Sequence, residues 1–184
     1  CTGNHIIRIS RYSALIAQAL GLSEKDIDLL EQASPMHDIG KIAIADAILL
    51  KRGRLTQKEI IAMQRHTDFG YELLKDSPSE YLQTGAVIAL SHHEKFDGMG
   101  YPRGLKHEEI PIEARIVAIA DVFDALVSER PYKRGWSLDR ALNYLKDERG
   151  LHFDPVCVDV FLDREAEIEE IYRTLGAKAM QASN

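Results

Sequence analysis

The stretch Ser91 to Pro102, SHHEKFDGMGYP, concentrates the residues best suited to chemistry. Two adjacent imidazoles and a carboxylate, His92-His93-Glu94, are followed by Asp97-Gly98 and then by Gly100-Tyr101-Pro102. Nitrogen and oxygen donors of this kind suit divalent transition-metal ions. The apolar run Thr84 to Leu90 predicts a buried helix that delivers the histidines to a fixed place. The two glycines and the proline then force a turn that neither helix nor strand continues through. Packing alone requires neither the paired imidazoles nor the acids beside them. The stretch reads as a metal site with a substrate-facing loop.

The elements that must position it read as helices. Ile6, Ile9, Ile16 and Leu20 recur at helical spacing, and Gly21 closes that helix. Ser23 to Asp26 reads as an N-cap opening a second helix through Ile27, Leu30 and Ala33, and Ser34-Pro35 interrupts the chain before His37. Asp46 to Leu50 is a short apolar piece, and Lys51-Arg52-Gly53-Arg54 is a basic, solvated turn. Thr56 and Glu59 form a capping box for a helix expected to run up to His66, and a further short helix is expected over Gly70–Leu74. Residues 94 to 111 predict an irregular loop with at most one helical turn. Ile112 to Ser128 is the longest apolar periodic stretch; Ser137 caps a helix, and Asp154-Pro155 starts another. Residues from Arg164 onward are charged and then alanine-rich, which suggests a fraying end. No alternating strand pattern or repeat is visible. The fold class reads as all-α.

Composition sets the limits. The 184 residues suffice for one domain with a real core. A formal charge of −6 argues against a surface that coats a nucleic acid polymer, but not against an anionic ligand held through bound cations. The cysteines are Cys1 and Cys157, which suggests no disulfide framework and fits a reducing, cytoplasmic setting. No run approaches the ~20 apolar residues of a bilayer span. The missing initiator methionine suggests a module of a longer protein, with an N-terminal regulatory domain elsewhere.

The HHEKFDGMGYP motif, with His37-Asp38-Ile39-Gly40-Lys41 upstream, resembles the HD-GYP family of metal-dependent cyclic di-GMP phosphodiesterases. The likeness extends from Asn4-His5 to His152-Phe153-Asp154-Pro155. It implies an HD-domain helical bundle over residues 1–175, with an irregular GYP loop, extra C-terminal helices and a tail at 176–184. It also implies hydrolysis of cyclic di-GMP to linear pGpG, and onward to GMP in some members, by a hydroxide shared between two ions. Implied partners are a GGDEF-type cyclase, an N-terminal receiver or sensor domain, and a second copy of the chain.

By that resemblance the metal ligands are His5, His37, Asp38, His66, His92, His93 and Asp121. A carboxylate can bridge two ions where an imidazole cannot, so Asp38 is assigned as the bridge. His5, His37 and Asp121 are expected on one ion, and His66, His92 and His93 on the other. Iron or manganese is expected, with zinc or nickel as substitutes. Lys41 is expected to face the cavity and neutralise a phosphate oxygen, which makes Asp38 and Lys41 the catalytic pair. Asp97, Gly100, Tyr101 and Pro102 are expected to shape the substrate mouth, with Arg130 and Lys133 on the phosphates. Glu94 and Asp124 are expected behind the ligands, where Asp124 also rivals Asp121 for the metal.

His107 and His152 match no ligand position and read as structural. Arg130 and Lys133 read equally well as solvated charges. Some family members bind a third ion through a glutamate four residues before the first histidine ligand; Cys1 stands there. Two ions are therefore expected, with pGpG as the early product. The alternatives are a non-catalytic receptor or interaction module for cyclic di-GMP, and a hydrolase of another cyclic dinucleotide.

Overall fold

The computed structural model describes residues 3–129 and 134–181. Among these described residues ten α-helices follow in order: α1 Gly3–Ala19, α2 Glu24–Ala33, α3 Asp46–Leu49, α4 Gln57–Gln64, α5 His66–Leu74, α6 Glu80–Ser91, α7 Ile112–Val127, α8 Leu138–Asp147, α9 Pro155–Leu162 and α10 Glu165–Gln181. Short 3-10 turns occupy Ser34–Met36, Ile39–Ala43 and His107–Glu109. Among the described residues there is no strand, only a bridge between Arg149 and Phe153. The fold is all-α.

Local chemistry explains many of the boundaries. Ser23 accepts from Asp26 N, Ser137 from Arg140 N, and Asp154 from both Val156 N and Cys157 N. Thr56 and Glu59 exchange both bonds of a capping box. Gly21, at φ +74°, ends α1 in the left-handed conformation that glycine adopts without strain.

The core forms where α7 meets α1 and α9. Ile116, Val117, Ile119 and Phe123 of α7 are fully buried, as are Ile9, Tyr12 and Ile16 of α1. Tyr12, Phe123 and Phe161 meet edge to face, with ring centroids 5.2–6.0 Å apart. Each such side chain contributes about 1.5–3 kcal/mol through burial, and each aromatic pair about 0.5–1.5 more. This core fixes one wall of the site, because His5 lies on α1 and Asp121 on α7.

Two departures from the sequence expectation matter here. The helix expected to run up to His66 breaks at Arg65, and His66 opens α5, which carries on through Leu74. The C-terminal stretch is helical to Gln181, with Ile168 buried in the core.

Glycines set the contact between the 3-10 turn and α5. A Cβ on Gly40 would lie 1.9 Å from the His66 carbonyl oxygen and 2.4 Å from Gly70 N. Backbone therefore rests on backbone at this point, and Gly70 in turn lies close against Ala89 of α6. Between Ile44 and His66, both buried, no residue from Ala45 to Arg65 is buried. This span is ordered by its own bonds, including Lys51 to Glu59 at 2.7 Å.

Candidate metal centre

His37 and Asp38 lie between two 3-10 turns, His66 opens α5, and His92 and His93 follow the end of α6. In His37, His66 and His92 the ring Nδ1 donates to a carbonyl three or four residues back: Ser34 at 2.9 Å, Met63 at 2.7 Å, and Ile88 at 3.0 Å. These bonds assign the tautomer. Each Nε2 then carries its lone pair inward, and all three Nε2 atoms are buried with no hydrogen-bond partner among the described residues. Three orphaned acceptors in one buried place would be costly unless a cation joined them.

Carboxylates complete the arrangement. Donor atoms of Asp38, His66, His92 and His93 lie within 4.8 Å of one another, and those of His5, His37 and Asp121 form a second such group. Asp38 faces both. Its Oδ1 is 3.5 Å from His66 Nε2 and 3.9 Å from His92 Nε2, while its Oδ2 is 3.5 Å from His37 Nε2. Asp121 Oδ1 lies 3.7 Å from the same His37 nitrogen. These gaps are too long for hydrogen bonds. They are near the ~3–3.5 Å that separates two ligands of one ion when each is about 2.1 Å from it. The donor set fits divalent transition ions.

Electrostatics keep three of the rings, His66, His92 and His93, in the ligating form. Burial, joined by the neighbouring rings, pushes His92 well below the ordinary histidine range; burial likewise brings His93 down to about 3. His66 is lowered too, chiefly by burial. Lys41 Nζ sits 2.6 Å from Asp38 Oδ2 and supplies the cationic partner that this oxygen has in the structure. The 3-10 geometry, rather than an α-helical turn, brings the two side chains together.

Asp124 is fully buried and lies behind His5, not beside His37. It accepts from His5 Nδ1 at 2.5 Å, from Arg8 through Nε at 2.5 Å and a second nitrogen at 3.1 Å, and from Ser128 Oγ at 3.1 Å. Such a carboxylate orients an imidazole and has little capacity left for a metal. Arg8 was missed by the sequence reading, and its position one helical turn after His5 was the available signal. Gly40 was quoted only as a motif letter, although it allows the contact that carries His66.

The loop residues are engaged within the loop. Asp97 Oδ1 accepts from Met99 N at 2.9 Å, which closes a turn. A Cβ on Gly100 would lie 2.3 Å from Lys95 N and 2.5 Å from the His93 carbonyl oxygen, so glycine is required by close approach. Both contacts lie within the loop and hold its shape. The Tyr101 ring stacks on His93 at 4.8 Å and 23°, and the Tyr101–Pro102 peptide is cis. Glu94, expected behind the ligands, accepts from Arg103 N at 2.7 Å and Leu105 N at 3.0 Å. Arg130, Lys133 and Cys1 lie outside the described residues.

The profile of the HD domain family matches residues 2–157. The chain belongs to this family. With His37-Asp38 and Gly100-Tyr101-Pro102 both present, it is an HD-GYP domain. It is 54% identical over 170 residues to the cyclic di-GMP phosphodiesterase response regulator RpfG of Xanthomonas campestris, covering 92% of this chain and 45% of that protein. It is 42% identical over 174 residues to the 3'3'-cGAMP-specific phosphodiesterase 2 of Vibrio cholerae, covering 95% of this chain and 33% of that one. The fold matches an HD-GYP-type protein of Bdellovibrio bacteriovorus at a TM-score of 0.66 and 23% identity, covering 86% of this chain and 50% of that one. The HD-GYP domain thus spans less than half the length of these two curated relatives. No helix among its described residues is long and apolar enough to cross a membrane.

Proposed function

We propose that this HD-GYP domain is a phosphodiesterase that hydrolyses cyclic di-GMP with two divalent ions. The observation that carries the reading is Asp38, whose two oxygens face separate histidine groups. Asp38 would bridge the ions. His5, His37 and Asp121 would hold one, and His66, His92 and His93 the other, with iron or manganese favoured by the motif resemblance and compatible with a thiolate-free set of imidazoles and carboxylates. When bound, the ions would supply Lewis acidity and a water acidic enough to attack phosphorus near neutral pH. Once cations satisfy Asp38, Lys41 is free to turn its ammonium to a phosphate oxygen and offset the charge that builds there. Arg130 and Lys133 are assigned to the remaining phosphates on the motif resemblance, and the exposed edge of Tyr101 to a base.

The test is anaerobic reconstitution of the apoprotein with Fe(II) or Mn(II), followed by chromatography of products from cyclic di-GMP. Accumulating pGpG is the expected result. Tight binding without turnover would favour a receptor instead. The identity to the Vibrio relative favours one second reading, 3'3'-cGAMP as substrate. A higher kcat/KM for 3'3'-cGAMP than for cyclic di-GMP would select it. Lys41→Ala is expected to lower kcat by roughly 100-fold while leaving bound metal nearly unchanged; metal loss without a fall in kcat per ion would assign Lys41 to structure.

A further inference from the structure

His93 is held differently from the other histidines of the centre. His37, His66 and His92 are each fixed by a bond from Nδ1 to a backbone carbonyl, and His5 by Asp124. Among the described residues no hydrogen bond reaches the His93 ring. What borders it is the His92 ring at 4.0 Å, the Tyr101 ring stacked at 4.8 Å and the His66 ring edge-on at 5.2 Å. Tyr101 comes from the loop, and its backbone N–H donates to the His93 carbonyl at 3.2 Å. Gly100 lies against the same carbonyl and against Glu94 Cα, where no side chain fits.

The loop itself closes on Glu94. This side chain is 2% exposed, and each of its oxygens takes one amide of the returning strand of loop, at Arg103 and Leu105. Residues 93 and 94 thereby grip residues 100 to 105, with a carboxylate at the centre of the grip. The residue next to the ligand fastens the segment that covers the ligand.

We infer that Glu94 is a positioning residue for His93, acting through the loop: its carboxylate latches the loop so that Tyr101 sets the His93 ring toward the ion shared with His66 and His92. This rests on the reading of His93 as an ion ligand. The Gly-Tyr-Pro segment then serves the metal centre from behind, in addition to any contact with substrate. Glutamine at position 94 cannot reproduce the latch, because an NH2 group, which only donates, replaces one of the two oxygens that each accept an N–H.

The experiment is anaerobic Co(II) titration of the apoprotein, followed by d–d absorbance and calorimetry, for wild type, Glu94→Gln, Tyr101→Leu, His93→Ala and the Glu94→Gln/His93→Ala pair. Wild type is expected to take two equivalents. Glu94→Gln and Tyr101→Leu should each weaken one ion by at least about tenfold and leave the other within about twofold. In the His93→Ala background, Glu94→Gln should have no further effect on Co(II) binding, because both changes act through one ligand. Equal weakening of both ions, an undiminished effect in the His93→Ala background, or wild-type binding in both Glu94→Gln and Tyr101→Leu would overturn the inference. Wild type that binds fewer than two ions would instead overturn the two-ion reading beneath it.

Discussion

Asp38 and His37 face each other across 3.5 Å, and each changes the other's proton affinity. Burial pushes the Asp38 carboxyl up, but His37 and Lys41 outweigh it and hold the group far below the ordinary range. Burial also disfavours a charged His37, yet Asp38 and Asp121 raise its pKa. A proton on His37 must leave before Nε2 can bind a metal, so metal uptake competes with protonation. Mn(II) affinity is therefore expected to rise with pH through the ordinary histidine range and beyond it, by up to about tenfold per unit for the one proton displaced. Calorimetry in buffers of different ionisation enthalpy would count that proton, and a flat profile would contradict the assignment. At this scale the motif letters were legible, since His37, Asp38, His92 and His93 stand in two motifs that carry the family resemblance. The preference for Asp121 over Asp124 came from the motif resemblance and not from spacing. Arg8, which engages Asp124, lies 116 positions away in sequence, and local spacing carries no record of such a partner.

Among the elements, the 3-10 turn Ile39–Ala43 and α5 meet so closely that one methyl group decides the contact. Gly40→Ala would drive Cβ into the His66 carbonyl, and backbone cannot swing aside as a side chain would. The expected loss is about 3 kcal/mol or more, read by urea unfolding, together with weaker metal binding because His66 is displaced. The loop is tied on its other side to the turn between α8 and α9, where Phe96 N donates to the His152 carbonyl and Asp97 N to that of Leu151. His152 stacks on Phe153 there, and burial, assisted by the charge of Lys95, lowers it to about 4. A histidine depressed in the fold binds fewer protons than in the unfolded chain. Its contribution is complete above the unfolded value of about 6.5 and is lost as pH falls toward 4. The wild type minus His152→Asn difference in unfolding free energy should shrink by about 1–2 kcal/mol over that window, after allowance for partial exposure. Caps such as Ser23, Thr56 and Asp154 were legible because their bonds span two or three residues. The break at Arg65 was not, because neither glycine nor proline marks it; Arg65 N simply turns to the carbonyls of Ala62 and Met63.

For the molecule as a whole, the all-α architecture followed from the period of the apolar residues, above all in α7. The C-terminal helix was misjudged from its charge and alanine content, although Ile168, Ile171 and Tyr172 mark the face that meets the core. The unburied span from Ala45 to Arg65 has a different consequence. It divides the chain between a first part carrying His5, His37 and Asp38 and a second carrying His66, His92, His93 and Asp121. Each donor group draws from both parts: Asp38 joins the three later histidines, and Asp121 joins His5 and His37. Trypsin is expected to cut first at Lys51, Arg52 or Arg54, where the side chains are exposed and little packing resists local opening. The two pieces should still elute together from a sizing column, held by the core and stapled by the ions. A chelator should then hasten their separation, so that the proposed metal centre doubles as a removable cross-link between two halves of its own fold.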